Sequence, residues 1–235
     1  MNPLDVENLA CPDRQEVSAL ILAAGLGLRL GMGPKAFLNF SGQTLLERAV
    51  DAVSPFATQI IIGVPPGDEA RTRAMFPRQP NIVAGGATRQ ETVSRLLRRA
   101  TQPIILLHEV ACPFVQADFF RQVLAVAAES GAAALFVPLQ PRDSVAMMNP
   151  DGTLGDILPR SRVITTQTPH AYRRSVLLDA DDQAITHGWK EDGTAAMVGR
   201  AGHRVHLVRG SVENIKLTYS SDLASLERPS TGTSG

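Results

Sequence analysis

Short apolar runs alternate with amphipathic stretches along most of the chain. Val17 to Ala23 is apolar apart from Ser18 and reads as a buried strand. Thr44 to Val53 (TLLERAVDAV) spaces its apolar residues three and four apart, as an amphipathic helix does. Gln59 to Val64 (QIIIGV) reads as a strand, and Asn81 to Ala84 as another. Arg89 to Ala100 predicts a helix with basic residues on its outer face. Pro103 to Leu107 predicts a strand, Gln116 to Ser130 a helix and Ala133 to Val137 a strand. Tyr172 to Ala180 and Thr194 to Ala201 read as helices, and His203 to Val208 alternates like a strand. Ser221 to Glu227 closes the pattern as a short helix. Strands alternating with helices predict an α/β fold of three layers, a mainly parallel mixed sheet flanked by helices. Such sheets bind ligands in the loops at the carboxyl ends of their strands.

The ends break this pattern. Residues 1–16 show no sustained periodicity, and the stretch from Arg228 is rich in Ser, Thr, Gly and Pro. Both are expected to be disordered flanks of one domain over 17–227. The 235 residues, 44% apolar and 20% charged, match an ordinary globular protein. Basic and acidic residues both number 23, so no net field draws the molecule to nucleic acid or anionic lipid. A bound anion must therefore be held by a local site. Only Cys11 and Cys112 occur, which argues against a disulfide framework and for a reducing compartment. No apolar run reaches the roughly 18–20 residues of a membrane-spanning helix. Acids and prolines stand in Met1 to Glu16, where a signal peptide would need basic and apolar residues. The expectation is a soluble, cytoplasmic protein with neither nucleic acid nor membrane as partner.

The first strand runs into Ala23-Ala24-Gly25-Leu26-Gly27-Leu28-Arg29-Leu30-Gly31-Met32-Gly33-Pro34-Lys35. Small residues let the backbone approach a ligand, and glycine permits positive φ, so successive N–H groups converge on phosphate oxygens. Arg29 and Lys35 add two cations, which makes the loop a candidate triphosphate cradle. A P-loop would need Ser or Thr after its lysine, and Ala36 stands there. A dinucleotide fingerprint would need glycine where Leu30 is, with a ribose-binding acid about 20 residues on. Glu47 is near that spacing but falls inside a helical pattern. The five histidines (His108, His170, His187, His203 and His206) show no zinc-ligand spacing. In a strand, His203 and His206 would face opposite sides.

Leu-Ala-Ala-Gly-x-Gly-x-Arg-Leu-Gly followed by Pro-Lys resembles the signature of the sugar-nucleotidyltransferase superfamily. Later segments narrow the likeness. Gly85-Gly86-Ala87-Thr88-Arg89-Gln90-Glu91-Thr92-Val93 resembles a base-binding turn. His108-Glu109-Val110-Ala111-Cys112-Pro113 is similar to His-Asp-Ala-Ala/Val-Arg-Pro. Gln167-Thr168-Pro169 matches Gln-Thr-Pro, and Asn214-Ile215-Lys216-Leu217-Thr218 resembles Asn-Ile-Lys-Val-Thr. In this order they resemble the methylerythritol phosphate and ribitol phosphate cytidylyltransferases over residues 17–227.

The resemblance implies a Rossmann-like nucleotide-diphospho-sugar transferase fold with a protruding arm. The implied activity is transfer of cytidylyl from CTP to a phosphorylated polyol with release of pyrophosphate, an enzyme of isoprenoid biosynthesis. Arg29 would hold the β- and γ-phosphates, while Lys35 and Lys216 would contact the α-phosphate region. Ala23, Ala24, Gly25 and Gly27 would line the nucleotide, and Gly85, Gly86 and Thr92 would read cytosine. Glu109, Ser144, Arg160, Thr168 and Thr194 would take the acceptor. Mg²⁺ would bridge the phosphates, held by Glu109 and Glu213 with several waters. An arm over 141–162 would exchange between the subunits of a homodimer and carry Arg160 into the partner's site.

Departures from the pattern cluster on the acceptor side. Cys112 stands where the family has an arginine, and a thiol cannot clamp a phosphate in two places at once. Glu191-Asp192-Gly193-Thr194 departs from Thr-Asp-Glu/Asp, leaving Asp192 and Thr194 as alternatives for one threonine position. The expectation is that methylerythritol phosphate is used poorly. A phosphonate or other sugar phosphate acceptor stays open, as does a non-catalytic nucleotide-binding protein on the same fold.

Overall fold

Both faces of the first strand are covered, which is why all of its residues are buried. In the computed structural model, which describes residues 9–28, 31–78, 81–140 and 143–225, β1 spans Val17–Leu22. Val17, Ala19 and Ile21 enter one core cluster while Leu20 and Leu22 enter a second, so the strand alternates between two apolar layers. β2 (Asn39–Phe40) and β3 (Gln43–Thr44) form a small hairpin before α1 (Leu45–Val53). Thr44 and Glu47 start that helix as a reciprocal cap, each side chain bonding the other's backbone N–H. Then follow β4 (Gln59–Val64), α2 (Glu69–Met75), β5 (Ile82–Ala84), α3 (Arg89–Leu97) and β6 (Ile104–Glu109). The Thr88 side chain caps α3 by accepting from Glu91 N. The chain continues through α4 (Ala117–Ser130), β7 (Ala132–Pro138), β8 (Ala146–Met148) and β9 (Leu154–Ile157). It ends with β10 (Ile164–Arg173), α5 (Arg174–His187), α6 (Thr194–Arg200), β11 (His206–Arg209) and a 3-10 turn at Ser220–Ser225.

Among the described residues seven strands form one sheet, in the order β11-β7-β10-β6-β1-β4-β5. Its pairings are parallel except that β10 runs antiparallel to both neighbours, β6 and β7. Helices α1 and α4 cover one face through Leu45, Leu46, Val53, Phe120 and Val123. Helices α3, α5 and α6 cover the other through Leu96, Leu97, Leu177, Met197 and Val198. The three-layer α/β expectation holds.

Two local expectations do not. Tyr172 belongs to β10, and the helix expected there begins only at Arg174. The strand expected from His203 begins at His206, and His203 instead meets Asp179 at 2.7 Å. Strands β8 and β9, within the stretch expected as an arm, pair as a separate hairpin with Met147, Met148, Leu154 and Ile157 exposed along it. Residues 141–142 of the arm's base lie outside the described residues. Of the flanks, 1–8 and 226–235 also lie outside them, whereas Arg14–Glu16 form a 3-10 turn capped by Asp13.

Candidate active site

The site lies along the carboxyl ends of β1, β4 and β6 and the adjoining end of β10. After β1 the chain enters the glycine loop, and this loop closes on itself. Gly31 N donates to the Gly27 carbonyl at 3.1 Å, and Lys35 N donates to the Gly25 carbonyl at 3.3 Å. Gly27 has φ +66° and is buried, and a Cβ there would lie 2.1 Å from the Gly33 carbonyl oxygen. Only glycine fits. Arg29, the expected contact to the outer phosphates, lies outside the described residues, as does Leu30.

Lys35 ends the loop and reaches across the molecule. Its Nζ donates to the Leu217 carbonyl at 2.6 Å, so two segments 182 positions apart are tied together. The neighbouring residue, Lys216, pairs through Nζ with Glu109 Oε2 at 2.5 Å. Glu109 Oε1 accepts from Arg89 Nε at 2.8 Å, and an Arg89 terminal nitrogen donates to Thr194 Oγ1 at 2.7 Å. Burial alone would raise the Glu109 carboxyl, but the Arg89 and Lys216 cations outweigh it and hold it at about 2. Glu109 is therefore ionised and joins the two cations.

The expected base-binding turn packs directly on the glycine loop. A Cβ on Gly85 would lie 2.4 Å from Ala24 Cβ, so only glycine allows the two loops this close. Thr92 is buried, and its hydroxyl accepts from Gly86 N and donates to the Thr88 carbonyl, both at 3.0 Å. Glu91 Oε2 accepts from Ala87 N at 2.8 Å, and Arg95 donates to the Gly85 carbonyl at 2.8 Å. Thr92 thus shapes the turn from beneath.

A cavity of about 420 Å³ opens beside these groups. Arg89, Glu109, Cys112, Thr168, Asp192 and Lys216 are among the residues lining it. Thr168 and Thr194 are buried, and the bond from Arg89 fixes Thr194 at the start of α6, while Asp192 faces the cavity. Ser144, Arg160 and Glu213 are exposed and do not line this cavity. Cys112 is 3% exposed, and burial together with the Glu109 charge pushes its thiol up to about 11, leaving it neutral. The closing segment is pinned by Gln167, whose side-chain amide donates to the Ser211 and Asn214 carbonyls, and by Asn214, which donates to the Thr168 carbonyl.

Sequence reasoning missed Arg89 and His170 as lining residues. The first was read as part of an outer basic face, yet it is the opening residue of α3, whose first turn abuts the cavity. The second is buried with Nδ1 2.9 Å from the Tyr172 hydroxyl. Burial and the Arg89 cation bring His170 down to about 4, so the ring is neutral. His108, buried against Phe120, is likewise lowered by burial to about 4. Among the described residues no three His, Cys, Asp or Glu side chains gather as a metal-binding group.

A glycine loop whose closing lysine grips the backbone next to a second lysine, beside a two-glycine turn at the carboxyl edge of a mainly parallel sheet, defines a nucleotidyltransferase. Family comparison agrees: residues 17–228 match the model of 2-C-methyl-D-erythritol 4-phosphate cytidylyltransferase. The enzyme of that name from Thermus thermophilus is 39% identical over 215 residues, covering 90% of this chain and 96% of its own. Its counterpart from Deinococcus radiodurans is 35% identical over 211 residues, covering 89% and 88%. A crystal structure of the Thermus thermophilus enzyme superposes with a TM-score of 0.75 at 36% identity, covering 91% of this chain and 98% of that one. The 4-diphosphocytidyl-2C-methyl-D-erythritol synthase of Anaerococcus prevotii shares the fold, at TM-score 0.78 and 23% identity over 90% and 94% of the chains. The chain belongs to the 2-C-methyl-D-erythritol 4-phosphate cytidylyltransferase family. It is a transferase of isoprenoid biosynthesis. Enzymes of this class generally use a divalent cation. No helix among the described residues is long and apolar enough to cross a membrane.

Proposed function

We propose that this protein transfers the cytidylyl group of CTP to the phosphate of 2-C-methyl-D-erythritol 4-phosphate. A phosphate oxygen of the acceptor attacks the α-phosphorus, the bond from that phosphorus to the bridging oxygen breaks, and pyrophosphate leaves. The nucleophile is already an anion, so alignment and charge neutralisation supply the catalysis. The observation that carries this reading is that Lys35 grips the carbonyl of Leu217, the residue next to Lys216, while Lys216 itself lines the acceptor cavity. Lys35 and Lys216 stabilise the α-phosphate, and Arg29 takes the outer phosphates. Ala23, Ala24, Gly25 and Gly27 bed the nucleotide, with Gly85 and Gly86 against the base. Thr92 acts on the base through the turn it shapes. Thr168 and Thr194 serve the acceptor.

The departures at Cys112 and at Glu191-Asp192-Gly193-Thr194 led to the expectation of a different acceptor. Relatives at 39% and 35% identity carry methylerythritol phosphate in their names, and the chain covers most of each. That favours the same acceptor here. Mg²⁺ suits the site as a cation carried mainly by the triphosphate. Glu109 is ionised, but each of its oxygens already meets a cation, and Glu213 is exposed. These residues fit one or two carboxylate contacts with the rest from water and phosphate. When bound, the ion would neutralise phosphate charge beside the lysines. The exposed apolar side chains of the β8–β9 hairpin support a homodimer in which the arm brings Ser144 and Arg160 to the partner. Two unpaired cysteines, Cys11 and Cys112, support a reducing cytoplasm. The test is pyrophosphate release from CTP and Mg²⁺ with methylerythritol phosphate, ribitol phosphate or no acceptor. Release requiring methylerythritol phosphate is expected, and its absence would refute the reading.

A further inference from the structure

Residue 112 is a buried neutral thiol, so the cations around the acceptor cavity come from elsewhere in the chain. Among the described residues that line it, they are Arg89 and Lys216. Lys216 lies beside the segment that Lys35 grips, at the nucleotide end. Arg89 stands at the first position of α3, and its side chain meets β6 and α6 rather than solvent beyond the helix. Nε is fixed by Glu109 at 2.8 Å and one terminal nitrogen by Thr194 at 2.7 Å. Those contacts engage only part of the guanidinium fork, which has about five N–H donors. The side chain keeps 30% of its surface exposed while lining the cavity. Its orientation is set before any ligand arrives, which reduces the ordering cost of binding. A planar fork of this kind suits an oxygen-rich anion better than a lysine does.

We propose that Arg89 is an acceptor-binding, specificity-determining residue whose remaining N–H groups hydrogen-bond oxygens of the phosphorylated polyol. The proposal rests on the cytidylyltransferase reading above. Thr194 and Glu109 act behind Arg89 as positioning residues, holding the fork toward the cavity. Arg89 supplies in this chain a guanidinium that position 112 does not. Its effect falls on the acceptor, because the glycine loop and the two-glycine turn hold the nucleotide without it.

The experiment is steady-state kinetics of the full chain and of Arg89→Ala and Arg89→Lys, with methylerythritol phosphate varied at saturating CTP and the reverse. Calorimetric titration of CTP with Mg²⁺ and thermal melting accompany each protein. Loss of charge-assisted hydrogen bonds should raise the acceptor KM of Arg89→Ala by about 10- to 100-fold. CTP affinity should stay within about twofold, since the side chain bonds Glu109 and Thr194 rather than the nucleotide loops. Arg89→Lys should fall between the two, keeping a charge near Glu109 but losing the fork. Free guanidinium ion at non-denaturing concentration should lower the acceptor KM of Arg89→Ala and leave that of the unmodified protein unchanged. A folded Arg89→Ala with an unmoved acceptor KM, or with equal losses for CTP and acceptor, would overturn the proposal. If Arg89→Ala does not fold, the same split in Arg89→Lys decides: a raised acceptor KM with intact CTP affinity supports it, and two unmoved constants overturn it. Absence of turnover in the unmodified protein defeats the cytidylyltransferase reading, which the Arg89 variants leave untouched.

Discussion

Replacing Glu109 by Gln removes one charge from a carboxylate held between two cations, and the cost should depend on pH in a calculable way. In the folded protein the carboxyl sits at about 2, against an ordinary value of 4.5. A group whose folded pKa is depressed adds stability above its unfolded pKa, and that stability is lost as pH falls through the folded value. The window here runs from about pH 4.5 down to about pH 2. At 1.36 kcal/mol per unit, the ionised form contributes on the order of 3 kcal/mol at neutral pH, of which roughly half remains at pH 3. Side-chain exposure of 11% leaves little solvent to screen the pairs. Urea denaturation of the native protein and of Glu109→Gln, from pH 3 to pH 7, isolates this group because the other carboxylates cancel in the difference. The stability gap should be widest at pH 5–7 and shrink by about 2 kcal/mol between pH 5 and pH 3. A gap that stays constant over that range, or widens on acidification, would show that Glu109 is not held ionised by Arg89 and Lys216.

Lys35→Ala and Lys216→Ala should each lower turnover by roughly two to three decades if each lysine stabilises charge in the transition state as one oxyanion-hole donor does; near-normal rates in folded variants would remove both from the mechanism. Gly27→Ala should abolish CTP binding in calorimetry while leaving the melting transition cooperative, because its Cβ would strike the Gly33 carbonyl oxygen and only the loop must move. Sedimentation at micromolar concentration should give about twice the chain mass of 25.2 kDa, and a monomer with full activity would exclude a partner's Arg160 from the site.

Most of the sheet was legible because its strands are buried on both faces and read as unbroken apolar runs. Gln59–Val64 is a strand over the residues its pattern marks. β10 was not legible. Its sequence, ITTQTPHAYR, is polar over its first half and holds a proline, which in a central strand removes a ladder donor. The structure accommodates this with an irregularity between Gln167 and His170, on both sides of which β10 pairs with β7. The polar half lines the cavity, so those residues border open space rather than a packed apolar layer. The lysines were legible through motif likeness, and the bond that brings Lys35 to the segment of Lys216 was not, since nothing local links Lys35 to Leu217. Arg89 was misread because helical periodicity describes a helix's sides and is silent about its first turn. There a side chain leaves along the axis toward the neighbouring strand ends.

The bond between Lys35 and the Leu217 carbonyl also has a consequence in time. A ribosome makes the glycine loop early and its partner 182 residues later. At synthesis rates of about 5–20 residues per second, the lysine waits roughly 10–40 s for the carbonyl that anchors it. Well before that interval ends, β1, β4 and β5 have all been made, and they are adjacent in the sheet. The same late segment also carries Lys216 and the partners of Gln167. The strands that carry the glycine loop and the two-glycine turn are thus made long before residues 210–218, which hold the carbonyls and the lysine that complete the site.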